Sequence, residues 1–203
     1  MRTERGLDRL IALADAVVAI AITVLVLPLV DVLGSAAPDT DLGAVLTENI
    51  AKFGAFLLSF FVIARLWRAH NRLVEPVGAY DPAFVLVNFG WVLTIVVLPF
   101  ATQVVAVYGI DRLAIGLYIG TITASSACLS LLTLQIWRRP PLRRVGTDIR
   151  PDLPFNSLVT TGMLAVALVI GVLVPEINYF ALLLLFLTGP IESRWRPRAG
   201  GVG

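Results

Sequence analysis

The 203-residue chain holds one cysteine and one histidine, and only 15% of its residues are charged. A lone cysteine, Cys128, excludes a disulfide within the chain, and no Cys/His spacing suits structural zinc. With one histidine and few acids in apolar stretches, the nucleophile, base and metal ligands of an active site have no cluster to form in. Asp15 with His70 makes only two ligands, short of a metal set. The expectation is a protein that is not an enzyme and carries no cofactor or resident metal. Nor do apolar and polar residues alternate over ten-residue segments, as they would in a membrane β-barrel. The opening MRTERGLDR has mixed charge, and the apolar run behind it is too long for a signal-peptide core, so the first run is expected to be retained. No internal repeat is visible, and no nucleic-acid partner is expected.

What fills the chain instead is hydrocarbon. Hydrophobic residues make up 58% of it and the mean hydropathy is +0.87, against about 45–50% apolar residues in soluble domains. This is the composition of an integral membrane protein. Six apolar runs stand out, at residues 10–33, 45–69, 83–108, 113–137, 158–174 and 177–188. A membrane helix needs about 20 apolar residues. The first four runs are long enough, the fifth is at the lower limit, and the sixth fits as the return half of a hairpin turning at Pro175-Glu176. The expected fold is all-α, one six-helix domain over residues 1–203.

The charges give an orientation. Arg2, Arg5 and Arg9 precede the first run; Arg65, Arg68 and Arg72 end the second; Arg138 to Arg150 fill the loop after the fourth; Arg194, Arg196 and Arg198 follow the sixth. Only Lys52 and Arg112 among the 16 basic residues fall toward the other side, where Asp31, Asp39, Asp41, Glu48, Asp111 and Glu176 collect. Basic loops stay in the cytoplasm, so both termini are expected there. The basic, proline-rich stretch Pro140–Pro154 serves first as a topology signal; its arginines, Arg138 to Arg150, also suit contact with anionic lipid.

The stretch Arg9–Leu29 carries the informative chemistry. Ile20, Val24 and Leu27 recur at i, i+4 and i+7 and form one stripe, with Thr23 beside it. Such a stripe fits an apolar pore constriction, which gates by excluding water; it equally fits helix packing or lipid contact. Asp15 lies two turns inside the helix, and an ionisable group at membrane depth marks function or a paired partner. Antiparallel packing brings the end of the second run to a similar depth, so His70 or a nearby arginine is the expected partner, with Trp67 donating its indole N–H.

At this point the residues resemble a known family. Arg9-Leu-Ile-Ala-Leu13-Ala14-Asp15, followed by Ala19-Ile20-Ala21-Ile22-Thr23, is similar to the Arg-x-x-x-Phe-Ser-Asp signature and Ala-Ile-Ala-Ile-Thr run of the transmembrane protein 175 family of potassium channels. Trp67-Arg68-Ala69-His70 looks like the family's Trp-x-x-His, and Leu98-Pro99-Phe100-Ala101-Thr102 like its Leu-Pro-Phe-x-Thr. Leu13 and Ala14 depart from the signature phenylalanine and serine, which removes one hydroxyl. The resemblance implies a bacterial plasma-membrane homotetramer around a central pore lined by the first helix. It implies constriction rings at Ile20, Val24 and Leu27, potassium selectivity at Thr23, and a structural network of Arg9, Asp15, Trp67 and His70. No Thr-Val-Gly-Tyr-Gly filter occurs, so any preference for K⁺ over Na⁺ is expected to be modest and set by side chains. Val77-Gly78-Ala79-Tyr80 is a chance echo of that filter. The competing reading is a secondary transporter coupling protons through Asp15 and His70, against which the absence of repeats and of mid-span breaks counts.

Overall fold

The first apolar run forms two helices, not the single one that its length predicts. In the computed structural model, which describes residues 4–37, 39–109, 111–146 and 152–173, α1 covers Glu4–Val24 and α2 Leu27–Ser35. Pro28 explains the break: it has no N–H for the Val24 carbonyl, and its ring crowds that carbonyl. Three backbone bonds bridge the gap, Val26 N–H to the Thr23 carbonyl (3.3 Å) and Leu29 and Val30 N–H to the Val26 carbonyl (3.0 and 3.2 Å). Together α1 and α2 still make one apolar span, Arg5–Ser35.

The second run is also displaced from its expected bounds. A short α3, Leu42–Glu48, is capped by the Asp41 carboxylate, which accepts the Ala44 N–H at 3.0 Å. Asn49 then separates it from the membrane-length α4, Ile50–Val74, which runs five residues further toward the arginines than the apolar run does. Helix α5 spans Pro82–Tyr108 and α6 Arg112–Arg138. Asp81 and Asp111 cap them, accepting backbone N–H bonds from Phe84 (2.8 Å) and from Leu113 and Ala114 (2.8 and 3.1 Å). Pro82 occupies the first turn of α5, where a missing N–H costs nothing. A 3₁₀ turn, Pro140–Leu142, precedes α7, Leu153–Leu173. Five helices are long and apolar enough to cross a membrane among the described residues. The expected sixth run, 177–188, lies outside them.

Helices α5 and α6 form the centre. Trp91, Ile95, Leu98 and Ala101 of α5 and Ile115, Ile119, Ile122 and Leu132 of α6 are all buried. Helix α1 lays Leu7, Ala14, Val18 and Ala21 against this body, a spacing of three, four and seven that keeps to one face, and Leu25, just beyond the helix, joins them. Lipid gives apolar helices no net drive to associate, so small and polar residues carry the contacts. Ser59 of α4, Thr102 of α5 and Tyr118 of α6 share hydrogen bonds of 2.7 and 2.9 Å. Helix α7 docks on α6 through Ser126, Ser130, Ser157 and Thr161, linked at 2.6–2.8 Å.

At the arginine-rich end two loops hook together. The Leu142 carbonyl accepts the N–H groups of Gly78 (2.9 Å) and Ala79 (3.2 Å), and Arg144 N–H donates to the Pro76 carbonyl at 2.9 Å. Arg139 pairs with Asp81, while Val77 and Leu142 bury their side chains inside the hook. The filter-like tetrapeptide Val77-Gly78-Ala79-Tyr80 thus has a structural task. Gly78 is needed because a Cβ there would lie 2.9 Å from Arg144 Cγ and 3.2 Å from its Cα. Tyr80 in turn presses its hydroxyl onto Gly6 of α1. Overpacking of this kind costs about 1–3 kcal/mol. Gly78→Val is therefore expected to lower the melting temperature of the detergent-solubilised protein by several degrees. Gly34→Ala, where a Cβ meets nothing within 4 Å, should leave it within a degree or so; superimposable circular-dichroism melts would contradict the hook.

Candidate functional site: the outer face of the first helix

Among the described residues, helix α1 is packed from one side only. Opposite its buried face, Ile20 is 62% exposed, Leu27 at the start of α2 55%, and Val24 39%. The whole expected stripe therefore lies on a face that the described helices leave open. Thr23 is exposed on the same side, and its hydroxyl donates to the Ile20 carbonyl at 2.8 Å. That bond uses the hydroxyl proton, so the free lone pairs of Oγ1 are available to accept or to meet a cation.

Helix α2 continues the face. Leu29 and Val32 are buried, and Leu27, Asp31 and Gly34, at i, i+4 and i+7, are exposed opposite them. Asp31 lies near the outer end of the first apolar run, and the structure puts it in α2, in line with Leu27. Sequence reasoning missed this because it ended the stripe at Leu27, although the same i+4 step reaches Asp31.

The expected four-residue polar network divides into separate parts. Trp67 Nε1–H donates to Asp15 Oδ1 at 2.9 Å, tying α4 to α1. His70 does not meet Asp15. Three residues beyond Trp67 its ring turns inward, fully buried, with Nε2 2.8 Å from Asn88 Oδ1 and the imidazole stacked on Trp91 (centroids 4.0 Å, planes 7° apart). Asn88 and Trp91 carry no short-range signal that would have named them as its partners. Arg9 stays exposed, without a hydrogen-bond partner among the described residues. Six residues from Asp15 it stands about 120° around the helix, too far round to share the Trp67 contact. It lines an open groove of about 600 Å³ with Gly6, Leu10, Leu13, Tyr80 and Val85. Ala14, at the signature serine position, is buried in the core. Among the described residues no three His, Cys, Asp or Glu side chains gather as a metal site.

These features define a polytopic, nearly all-helical integral membrane protein whose first span holds an uncovered aliphatic face. Comparison with known proteins specifies it further. A family model described as the endosomal/lysosomal potassium channel TMEM175 matches residues 9–99, and this chain belongs to the TMEM175 family. That family is one of ion channels, not of enzymes. The potassium channel Cha6605_3372 of Chamaesiphon minutus is 30% identical over 140 residues, 68% of this chain and 66% of that protein. The mouse endosomal/lysosomal proton channel TMEM175 is 24% identical over 145 residues, 70% of this chain but 29% of the mouse protein. The chain thus matches under a third of the length of its vertebrate relatives. The crystal structure of a lysosomal potassium-selective channel TMEM175 homolog from Chamaesiphon minutus superposes with a TM-score of 0.72. It covers 92% of this chain and 97% of that one at 24% identity, which establishes a shared fold.

The divided network makes a specific expectation. Trp67→Phe removes one donor from a partly exposed carboxylate and should cost about 1 kcal/mol. Asn88→Leu strands a fully buried imidazole nitrogen and should cost about 1–3 kcal/mol. Thermal unfolding in detergent that ranks Trp67→Phe as the more damaging change would contradict this division.

Proposed function

We propose that four copies of this chain surround a fourfold axis with α1 facing it, and that the assembly conducts potassium ions. The observation that carries this reading is the uncovered face holding Ile20, Thr23, Val24 and Leu27. Around an axis, Ile20, Val24 and Leu27 become apolar rings that exclude water when narrow, and Ile20 forms the tightest. The Thr23 ring offers hydroxyl oxygens in place of part of an ion's hydration shell, which gives a modest preference for K⁺. Asp31 supplies a carboxylate ring at the outer mouth that concentrates cations. Asp15 and Trp67 take no part in permeation; they fix the rotation of α1.

The arginine-rich end faces the cytoplasm of a bacterial cell, and exposed Arg138 and Arg144 meet anionic headgroups there. A proton-coupled transporter is the weaker reading, because Asp15 and His70 hold different partners and form no relay. The vertebrate relatives' name, proton channel, makes H⁺ the second permeant ion to test.

Purified protein in planar bilayers should give unitary current steps, and K⁺ should be favoured in bi-ionic reversal potentials. Thr23→Ala should reduce the K⁺/Na⁺ permeability ratio by about two- to tenfold, the equivalent of one modest polar interaction. Ile20→Asn should raise unitary conductance. Saturable flux without current steps would replace the channel with a transporter, and an unchanged reversal potential in Thr23→Ala would remove the threonine from selectivity.

A further inference from the structure

The break between α1 and α2 falls inside a membrane span, where irregular backbone persists only if protein covers it or it lines water. Two structural facts single it out. First, the anchoring on its two sides is unequal. Helix α1 is fixed by Leu7, Ala14, Val18 and Ala21 in the core and by the Asp15–Trp67 bond. Helix α2 buries Leu29 and Val32 but has no side-chain hydrogen bond to another helix among the described residues. Second, the packing behind the break holds a small void, with room for about one water. This crevice of about 10 Å³ is lined by Leu25, Pro28 and Leu29 with Phe56 of α4 and Pro99 and Ala106 of α5. Pro28 and Pro99 both face this crevice, so the hydrogen-bond ladders of two adjacent helices are interrupted at one level.

We propose that Leu25–Val26 is a hinge on which α2 swings against a fixed α1. The swing carries Leu27 and Asp31 while Ile20 and Thr23 keep their places. If α1 lines the pore as read above, the outer aliphatic ring widens and narrows independently of the constriction and the threonine ring. The hinge makes use of the absent N–H at Pro28: no 28→24 bond has to break for α2 to move.

The test uses the full chain in lipid nanodiscs with Cys128→Ser and a trifluoromethyl probe on Val30→Cys, an α2 position that is 57% exposed. Fluorine NMR should show two exchanging signals, the minor one about 1–10%, with exchange on the microsecond–millisecond scale. Pro28→Ala returns an N–H to the Val24 carbonyl and should reduce the minor signal at least about tenfold. Ala106→Leu crowds the crevice from α5 with the sequence of the first span unchanged and should do the same. A probe on Val96→Cys of α5, 54% exposed, should give one signal throughout. A single Val30 signal in the parent chain, or a minor signal that survives both substitutions, overturns the hinge. Currents from the same preparation separate the two readings. Two signals that merge in an electrically silent protein keep the hinge and remove the channel; current steps with one signal do the reverse.

Discussion

A carboxylate two turns inside an apolar helix needs a donor, and Asp15 finds one in the indole N–H of Trp67. That bond sets the rotation of α1 about its own axis. With Asp15 turned toward α4, the alanine and valine side of α1 meets the α4–α5 body, and Ile20 and Leu27 are left facing away. A helix slipped by one residue would turn about 100° and bring a different set of side chains outward. The outer face is thus a consequence of where the helix is tied. Gly6 adds a second tie lower down, since only a residue without a Cβ lets Tyr80 sit against the start of α1.

The remaining packing follows the same economy of small and polar contacts. In lipid, apolar side chains gain little by meeting one another, so helix pairs are specified by hydroxyl bridges and close approach. The serine and threonine ladder joins α6 to α7, and the Ser59–Thr102–Tyr118 cluster joins three helices at one point. Helix α1 has no such ladder to α5; it is held by apolar contact and two specific ties. Its outer face leaves room for a second partner, and a symmetric neighbour is the partner the proposed tetramer supplies.

Much of this was legible from residue order. Apolar runs of membrane length mark the helices because hydrocarbon thickness fixes that length, and α5 and α6 fall within a residue of their expected bounds. The stripe of Ile20, Val24 and Leu27 follows from helical period alone, and all three side chains are exposed. What sequence did not show depends on contacts between distant segments or on one backbone atom. Pro28 reads as a helix-end residue until the missing bond to Val24 is placed in a span that continues to Ser35. His70 has the right depth to meet Asp15, yet its position around α4 delivers it to Asn88 and Trp91. The hook of Leu142 onto Gly78 and Ala79 joins loops more than sixty residues apart, beyond the reach of local pattern.

In the proposed tetramer the outer face of α1 borders water shared among subunits, and thiol accessibility reports on that directly. In a Cys128→Ser background, single cysteines at Ile20, Thr23 and Leu27 should react with a small charged methanethiosulfonate reagent and block the current as they do so. Cysteines at Val18 and Ala21, on the buried face, should remain unreacted. The opposite pattern, or outer-face cysteines reached only by lipid-soluble reagents, would place that face against lipid and contradict the proposed pore.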